Sequence, residues 1–310
     1  SLGTSNNLWN DFKNTLLQTL YHLGGRRLAS GKDYEQAEQQ RLAKLMQEAR
    51  EQLPLKISAE ELEAHFEHLT PRYFRTHSLE HINIDLTQVN RFLKRVVNGS
   101  GSRVLEPVIA WHNQPARGHT SVKICTWDRP GLFTTISGAL AAAGLNILSA
   151  RVFSRSDGII IDTFLVVNAS TGALAKRPER DTFKKLLTQA LLPDESPEFQ
   201  TQIDALAKRG TPAEWEWPTR IRIDTEAAES RTIIEVETGD RLGLLHRISK
   251  VLTRHGLSIH VARISTEKGA AIDTFYVRTA LGKKPTDESQ LQQIQTDLEA
   301  ELGDQTAVSS

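Results

Sequence analysis

The chain has 310 residues, 39% of them hydrophobic, and its 38 basic side chains are balanced by 38 acidic ones. That length suits two or three domains of ~100–200 residues each, and the charge balance excludes a general attraction to nucleic acid or to an anionic membrane. One cysteine, Cys125, excludes an internal disulfide framework and fits a reducing cytoplasmic setting, and no stretch approaches the ~18 apolar residues of a membrane span.

The chain starts at Ser1, and no signal-peptide pattern precedes Trp9. The expectation is a soluble cytoplasmic protein and a piece of a longer one. Residues 1–97 read as a helical segment. Leu8, Trp9, Phe12, Leu16, Leu17, Leu20 and Tyr21 recur at three- and four-residue spacing, which predicts an amphipathic helix up to a break at Gly24-Gly25. A polar helix follows from Tyr34 to Leu53, ending before Pro54. Ser58-Ala59-Glu60-Glu61 has the shape of a capping box opening a helix to Leu69. Pro71 to Phe74 reads as a turn, and Ser78 caps a helix from Leu79 to Val97. Asn98-Gly99-Ser100-Gly101-Ser102 reads as a linker.

Strand texture begins at Val104–Trp111 and Thr120–Trp127, the second alternating Val122, Ile124 and Thr126. A helix from Gly131 to Ala143 ends at Gly144. Strands 147–153 and 159–167 are joined by a turn at Ser156-Asp157-Gly158, and a helix spans 180–191. Residues 193–218 read as an insertion, and 219–225 as the fourth strand of this unit.

The pattern then repeats. From Asp128 to Arg151, each residue has a counterpart 112 positions later, between Asp240 and Arg263, and 12 of the 24 pairs are identical. Ile161-Asp162-Thr163-Phe164 returns as Ile272-Asp273-Thr274-Phe275 at an offset of 111. A fixed-period repeat marks a supersecondary unit used twice. The second copy predicts strands 231–238, 259–266 and 270–279 and helices 243–255 and 286–301. The fold class is therefore α+β: a helical N-terminal segment, then two ferredoxin-like βαββαβ units, 104–225 and 230–302, each an antiparallel sheet with helices on one face. No closing strand follows Leu302, which predicts an open edge on the second sheet that another unit or a second chain would cover.

The repeated Asp-Arg-x-Gly-Leu turn is the main candidate site. In the first copy a strand ends at Asp128 and the chain reverses into a helix through Arg129 and Gly131. Gly131 lets backbone approach a ligand closely. The N–H groups of the first turn, near Gly131, Leu132 and Phe133, face out with the positive end of the helix dipole, as an anion requires. Asp128 caps those groups or accepts an ammonium, and Asn146, followed by Ile147, offers an amide. In the second copy the corresponding residues are Asp240, Gly243, Leu244 and Ser258. Carboxylate at the helix start, ammonium at Asp and a polar group at Asn describe an amino-acid site. Asp-x-x-Gly before a helix is also a common capping turn, so the residues alone leave both readings open.

DRPGLFTTISGALAAAGLNILSARVF and DRLGLLHRISKVLTRHGLSIHVARIST resemble ACT domains, small regulatory modules that bind amino acids at domain interfaces. With Leu8-Trp9-Asn10, Leu20-Tyr21 and Leu69-Thr70-Pro71-Arg72-Tyr73-Phe74-Arg75-Thr76-His77-Ser78, they are similar to the region behind the HD hydrolase domain of the bifunctional P-II uridylyltransferase/uridylyl-removing enzymes. The resemblance spans residues 8–302. It implies glutamine sensing in the control of nitrogen metabolism, with the P-II regulatory protein engaged through catalytic domains this chain lacks. It also implies a homodimer formed through the ACT sheets. The family's metal, Mg2+ or Mn2+, serves those catalytic domains. Here Gly99-Ser100-Gly101 has no paired aspartates behind it and no His-Asp dipeptide exists, so neither catalysis nor a metal or other cofactor is expected of this chain. The alternatives are a catalytically competent nucleotidyltransferase fragment and an ACT-type dimerisation module without ligand. Asn146 against Ser258, and Pro130 against Leu242, make the two sites inequivalent and rank the first copy higher, while sites formed at the interface of the two units would use both.

His65, His68, His77 and His81 have helical spacings open to metal but read as solvated surface, and Cys125 reads as a buried thiol. Asp162 and Asp273 either orient the ligand turn or cap the sheet. Trp215 and Trp217 anchor the insertion or meet a partner.

Overall fold

A computed structural model describes residues 31–193, 197–208, 217–267 and 269–303. The amphipathic stretch at 8–23 and Trp215 lie outside them. Four helices come first: α1 (Gly31–Glu51), α2 (Ala59–His68), α3 (Pro71–Thr76) and α4 (Leu79–Asn98). The capping box forms at α2, with Ser58 Oγ accepting from Glu61 N and the Glu61 carboxylate accepting from Ser58 N. The expected turn at Pro71–Phe74 is instead the short helix α3, with Pro71 at its N-terminus, where a missing N–H costs nothing.

The first repeat unit consists of β1 (Val108–Gln114), β2 (His119–Trp127), α5 (Leu132–Ala142), β3 (Leu145–Arg151), β4 (Ile159–Asn168) and α6 (Arg177–Ala190). Its antiparallel sheet has the order β1-β2-β4-β3. A further helix, α7 (Phe199–Ala207), forms inside the segment expected to be an irregular insertion. The second unit is β5 (Arg220–Asp224), β6 (Thr232–Gly239), α8 (Leu244–Arg254), β7 (Leu257–Arg263), the two-residue β8 (Thr266–Glu267), β9 (Ala270–Thr279) and α9 (Glu288–Gly303). Its sheet runs β5-β6-β9-β7, with β8 on β9.

Two expectations are corrected here. The strand at 219–225 does not close the first unit. It pairs with β6, Ile221 opposite Val236, and so is the first strand of the second unit. Each sheet thus takes its fourth strand from the hairpin at its own start, and the second sheet has a strand at the edge where none was expected. The first sheet also has helices on both faces. Val122 and Ile124 point into a core with α5 and α6, while Lys123 and Cys125 point the other way onto α3 and α4. That explains why β2 is buried at nearly every position.

The histidines of the helical segment follow from this second layer. His65 and His77 are buried rather than solvated, in a chain of polar groups under the sheet. Arg155 Nη1 donates to His65 Nδ1 (3.1 Å), leaving His65 Nε2–H to meet Tyr73 Oη (3.3 Å), and Tyr73 donates to Asp85 Oδ2 (2.8 Å). Lys123 Nζ closes the chain on the other Asp85 oxygen. Cys125 is buried as expected, and burial drives its thiol far above the ordinary range. Among the described residues no group of three or more His, Cys, Asp or Glu could hold a metal ion.

The two units meet side by side along α5 and α8, with the edge strands β3 and β7 next to each other. Residues at the same repeat position meet each other: Ser137 Oγ lies 3.3 Å from Ser249 Oγ, and His246 Nδ1 lies 3.0 Å from the carbonyl of Thr134. Both pairs differ by 112 in number, so an internal two-fold axis passes between them. One continuous hydrophobic core, including Leu140, Leu145, Ile248 and Leu252, spans the two units.

Candidate functional site

The internal two-fold decides which residues share a site. Within the first unit Asp128 and Asn146 cannot meet. Asp128 N donates to the carbonyl of Gly158, just before β4 starts, whereas Asn146 pairs with Val167 near its end. Gly158 and Val167 are nine residues apart along extended chain, ~30 Å at ~3.3 Å per residue. The expected site combining Asp128, Gly131 and Asn146 in one copy is therefore corrected. Across the seam the geometry is different: Asn146 Nδ2 donates to Asp240 Oδ2 at 3.3 Å. The turn of the second copy is completed by the strand of the first.

A small cavity of about 20 Å³ lies there, walled by Asn146 and Ile147 from one unit and by Asp240, Arg241, Gly243, Leu244, Thr266 and Asp273 from the other. Of the expected site residues, Asn146, Ile147, Asp240, Gly243 and Leu244 come together here. Asp128 is exposed, and Leu132 and Phe133 are buried in the core, Phe133 against the Phe164 ring at 5.8 Å. Ser258 belongs to the end of the seam facing Asp128, by the same two-fold that brings Asn146 to Asp240.

Gly131 and Gly243 both sit at the N-caps of their helices with left-handed backbone, φ +73° and +80°, and neither helix has a side-chain cap. The Asp at the start of the motif is therefore not a cap, and the first-turn N–H groups of α8 keep no intrahelical partner. The two turns differ in what covers them. A Cβ at 243 would lie 2.6 Å from Ile203 Cγ2 of α7, whereas one at 131 would meet Thr253 Cγ2 at 3.3 Å.

The motif arginines have a structural task that the sequence does not show. Arg129 donates to the carbonyls of Ala190 and Leu191 at 3.2 Å each, and Arg241 Nη2 donates to the carbonyl of Leu302 at 3.0 Å. Each caps the last helix of its own unit and so ties turn to helix end. Arg241 Nε is nevertheless buried without a partner, and so is Asp273 Oδ1. Both residues wall the cavity. An orphan donor and an orphan acceptor beside one small space are an unusual cost in a folded chain.

Burial raises the Asp240 carboxyl above its ordinary range, against the hydrogen bonds from Asn146 Nδ2 and from Thr266 Oγ1 (3.3 Å), which oppose that rise. Asp273 is raised well above the ordinary range by burial and then by the nearby Asp240 charge. Its repeat partner Asp162 is equally buried, is likewise raised well above the ordinary range, and accepts from Phe153 N at 3.2 Å as Asp273 accepts from the backbone of Ser265. Asp273 is the residue whose weight was hardest to see, since its motif reads the same in both copies. The cover by α7 had a signal in the apolar spacing of Phe199, Ile203 and Leu206.

An ACT domain family model matches residues 120–177, and the model for the ACR family N-terminal ACT domain matches residues 227–304. Over 304 residues the chain is 31% identical to the bifunctional uridylyltransferase/uridylyl-removing enzyme of Azospirillum brasilense, covering 96% of this chain and 31% of that protein. The enzyme of the same name from Rhodospirillum rubrum is 31% identical over 301 residues, 95% of this chain and 30% of its own length. The chain thus spans less than a third of these relatives. Among solved structures, the aspartate kinase of Synechocystis aligns with 61% of this chain and 28% of its own at 16% identity and a TM-score of 0.33. The chain carries two ACT domains in tandem behind a helical segment, and over almost its whole length it is similar to the bifunctional uridylyltransferase/uridylyl-removing enzymes.

Proposed function

We propose that this is an amino-acid-sensing regulatory region, that its ligand is glutamine, and that it reports to uridylyltransferase and uridylyl-removing domains acting on a P-II regulatory protein. The observation that carries the amino-acid reading is the pair of unpartnered atoms at the seam, Arg241 Nε and Asp273 Oδ1. A zwitterion supplies the complement of both: its carboxylate accepts from Arg241 and the α8 start, and its ammonium donates to Asp273 and Asp240. Asn146 is then free to donate to and accept from a side-chain amide, which favours glutamine over an apolar amino acid. The names of the similar enzymes support the reporting role.

The cavity of about 20 Å³ has room for about one water, far less than an amino acid. Ligand entry must part Asn146 from Asp240 and shift the two units about their axis, which gives occupancy a mechanical consequence. Calorimetric titration of the chain with each of the twenty amino acids tests the reading. Glutamine should give saturable heat, and Asn146→Ala and Asp240→Asn should each weaken it about tenfold or more, the loss of a hydrogen bond to a charged group. Asp128→Asn, at the other end of the seam, should leave it within about twofold. No heat and no rise in melting temperature with any amino acid would reduce the seam to a structural contact.

A further inference from the structure

The outer edge of β1 is unpaired among the described residues, because β1 ends its sheet and bonds only to β2. Two helices overhang that edge from opposite faces of the sheet, α4 from the side of the helical segment and α6 from the side of the seam. Between them runs a groove of about 740 Å³ with Pro107, Val108, Ile109 and Trp111 as its floor. Its rims are basic on both sides: Arg91, Lys94 and Arg95 on α4, and Arg177, Arg180 and Lys184 on α6, against one carboxylate, Asp181. Arg177 faces Asp181 at 3.4 Å and Arg95 faces Glu106 at 3.9 Å, while among the described residues the other four have no carboxylate within 4.0 Å. In a chain whose charges cancel overall, this is a concentrated local field.

The rims are anchored. Arg95 Nη1 donates to the carbonyls of Glu106 (3.3 Å) and Pro107 (2.9 Å), and Arg180 lies over the Trp111 ring at 5.3 Å while donating to the carbonyl of Ala175. We propose that this groove binds an extended acidic segment of a partner polypeptide, which adds to β1 as a fifth strand. An added strand points successive side chains to opposite faces, so its acidic residues would meet α4 cations on one side and α6 cations on the other. A free edge supplies the backbone partners that a bare charged surface lacks. A second copy of this chain offering its own β1 is disfavoured, because two basic rims would then face each other.

The test uses the whole chain and a fluorescein-labelled ten-residue peptide of Glu, Thr and Val, followed by anisotropy at low and physiological salt. Saturable binding is expected, weakening with salt, together with slowed hydrogen exchange at the β1 amides. Arg91→Glu with Lys184→Glu should weaken binding about tenfold or more, and so should Lys94→Glu with Arg177→Glu. All four side chains are exposed, so an unchanged melting temperature checks the fold. A twin peptide N-methylated at alternate nitrogens should lose binding, because it keeps the charge and loses the strand. Equal binding by that twin, stronger competition by inorganic triphosphate or a single-stranded oligonucleotide at matched ionic strength, indifference to both double variants, or no binding at all would overturn the proposal.

Discussion

Asp273 differs from its repeat partner in one respect. Both aspartates are buried, both carboxyls are raised well above the usual range and both accept a backbone hydrogen bond, from Phe153 at Asp162 and from Ser265 at Asp273, but Asp273 keeps one oxygen, Oδ1, without a partner. With its carboxyl raised well above the usual range, the folded chain holds a proton at pH values where the unfolded chain has released it. Stability is therefore greater in acid and is lost as pH rises from the unfolded value toward the folded one. Asp273→Asn removes that loss and keeps an acceptor for the backbone. Free of ligand, this variant should melt a few degrees higher at pH 7, on the order of 1 kcal/mol, with a flatter rise in stability on acidification. On the proposed reading, its affinity for glutamine should fall by about tenfold, since the amide, unlike the carboxyl, cannot give up a proton to become the charged partner of the ammonium. A variant neither stabilised nor impaired would remove Asp273 from the site. The candidate turn was legible in the sequence, because Asp240, Gly243 and Leu244 stand in a repeated motif. The pairing of Asn146 with Asp240 was not, because a repeat shows which positions are equivalent and not which of them touch across a seam.

At the scale of elements, α7 is the least legible in the sequence. Its apolar residues Phe199 and Ile203 are buried against both repeat helices and the Gly243 turn. In sequence Phe199, Ile203 and Leu206 are spaced for one helix face, but they stand in a stretch rich in turn formers, and the surface they cover is what holds so short a helix. The helices and strands of the repeat were readable within a few residues, since periodicity and the glycine ends fix them locally. The placement of β5 was not, because a short alternating strand pairs equally well with either neighbouring sheet until the loop lengths decide. The fit of α7 over Gly243 gives a quantitative expectation. Gly243→Ala must accommodate φ +80° and a Cβ 2.6 Å from Ile203 Cγ2, a cost of about 2 kcal/mol or more. Ile203→Ala opens a cavity and costs about 2–4 kcal/mol alone. The two together should cost less than their sum by at least ~0.5 kcal/mol in urea unfolding, because the small side chain gives room to the new methyl. Additive costs would show that α7 does not press on the turn.

Over the whole molecule, the internal two-fold and the helical layer place opposite demands on the first sheet. One face belongs to the seam with the second unit, and the other is clamped to α2, α3 and α4 through Arg155, His65, Tyr73, Asp85 and Lys123. On the proposed reading, a ligand-driven movement of the two units would reach the helical segment through this one sheet. The joint is an apolar layer that includes Tyr73, Phe74, Phe92, Cys125 and Ile161 and that the polar chain crosses. That joint should be sensitive to acid. Burial lowers His65 to about 3 and His77 to about 4, so both are neutral in the folded chain. His65 faces the Arg155 guanidinium through Nδ1, and protonating that nitrogen would replace an acceptor by a second cation. Near His77 stand Asp85, which favours its charged form, and Lys123 and Arg151, which oppose it. The unfolded helices take up protons below about pH 6.5 while the docked ones resist, so docking stability falls as pH drops from ~6.5 toward 4. Hydrogen exchange at pH 5 against pH 7, corrected for the intrinsic rate, should show protection lost first in α2, α3 and α4. The repeat units should hold, because their buried aspartates shift the balance the other way. His65→Asn keeps an acceptor for Arg155 and abolishes the titration, so its helices should be less protected at pH 7 and lose less on acidification. Loss of protection at the same pH in helices and repeats, in both proteins, would mean that the polar chain is not part of the joint.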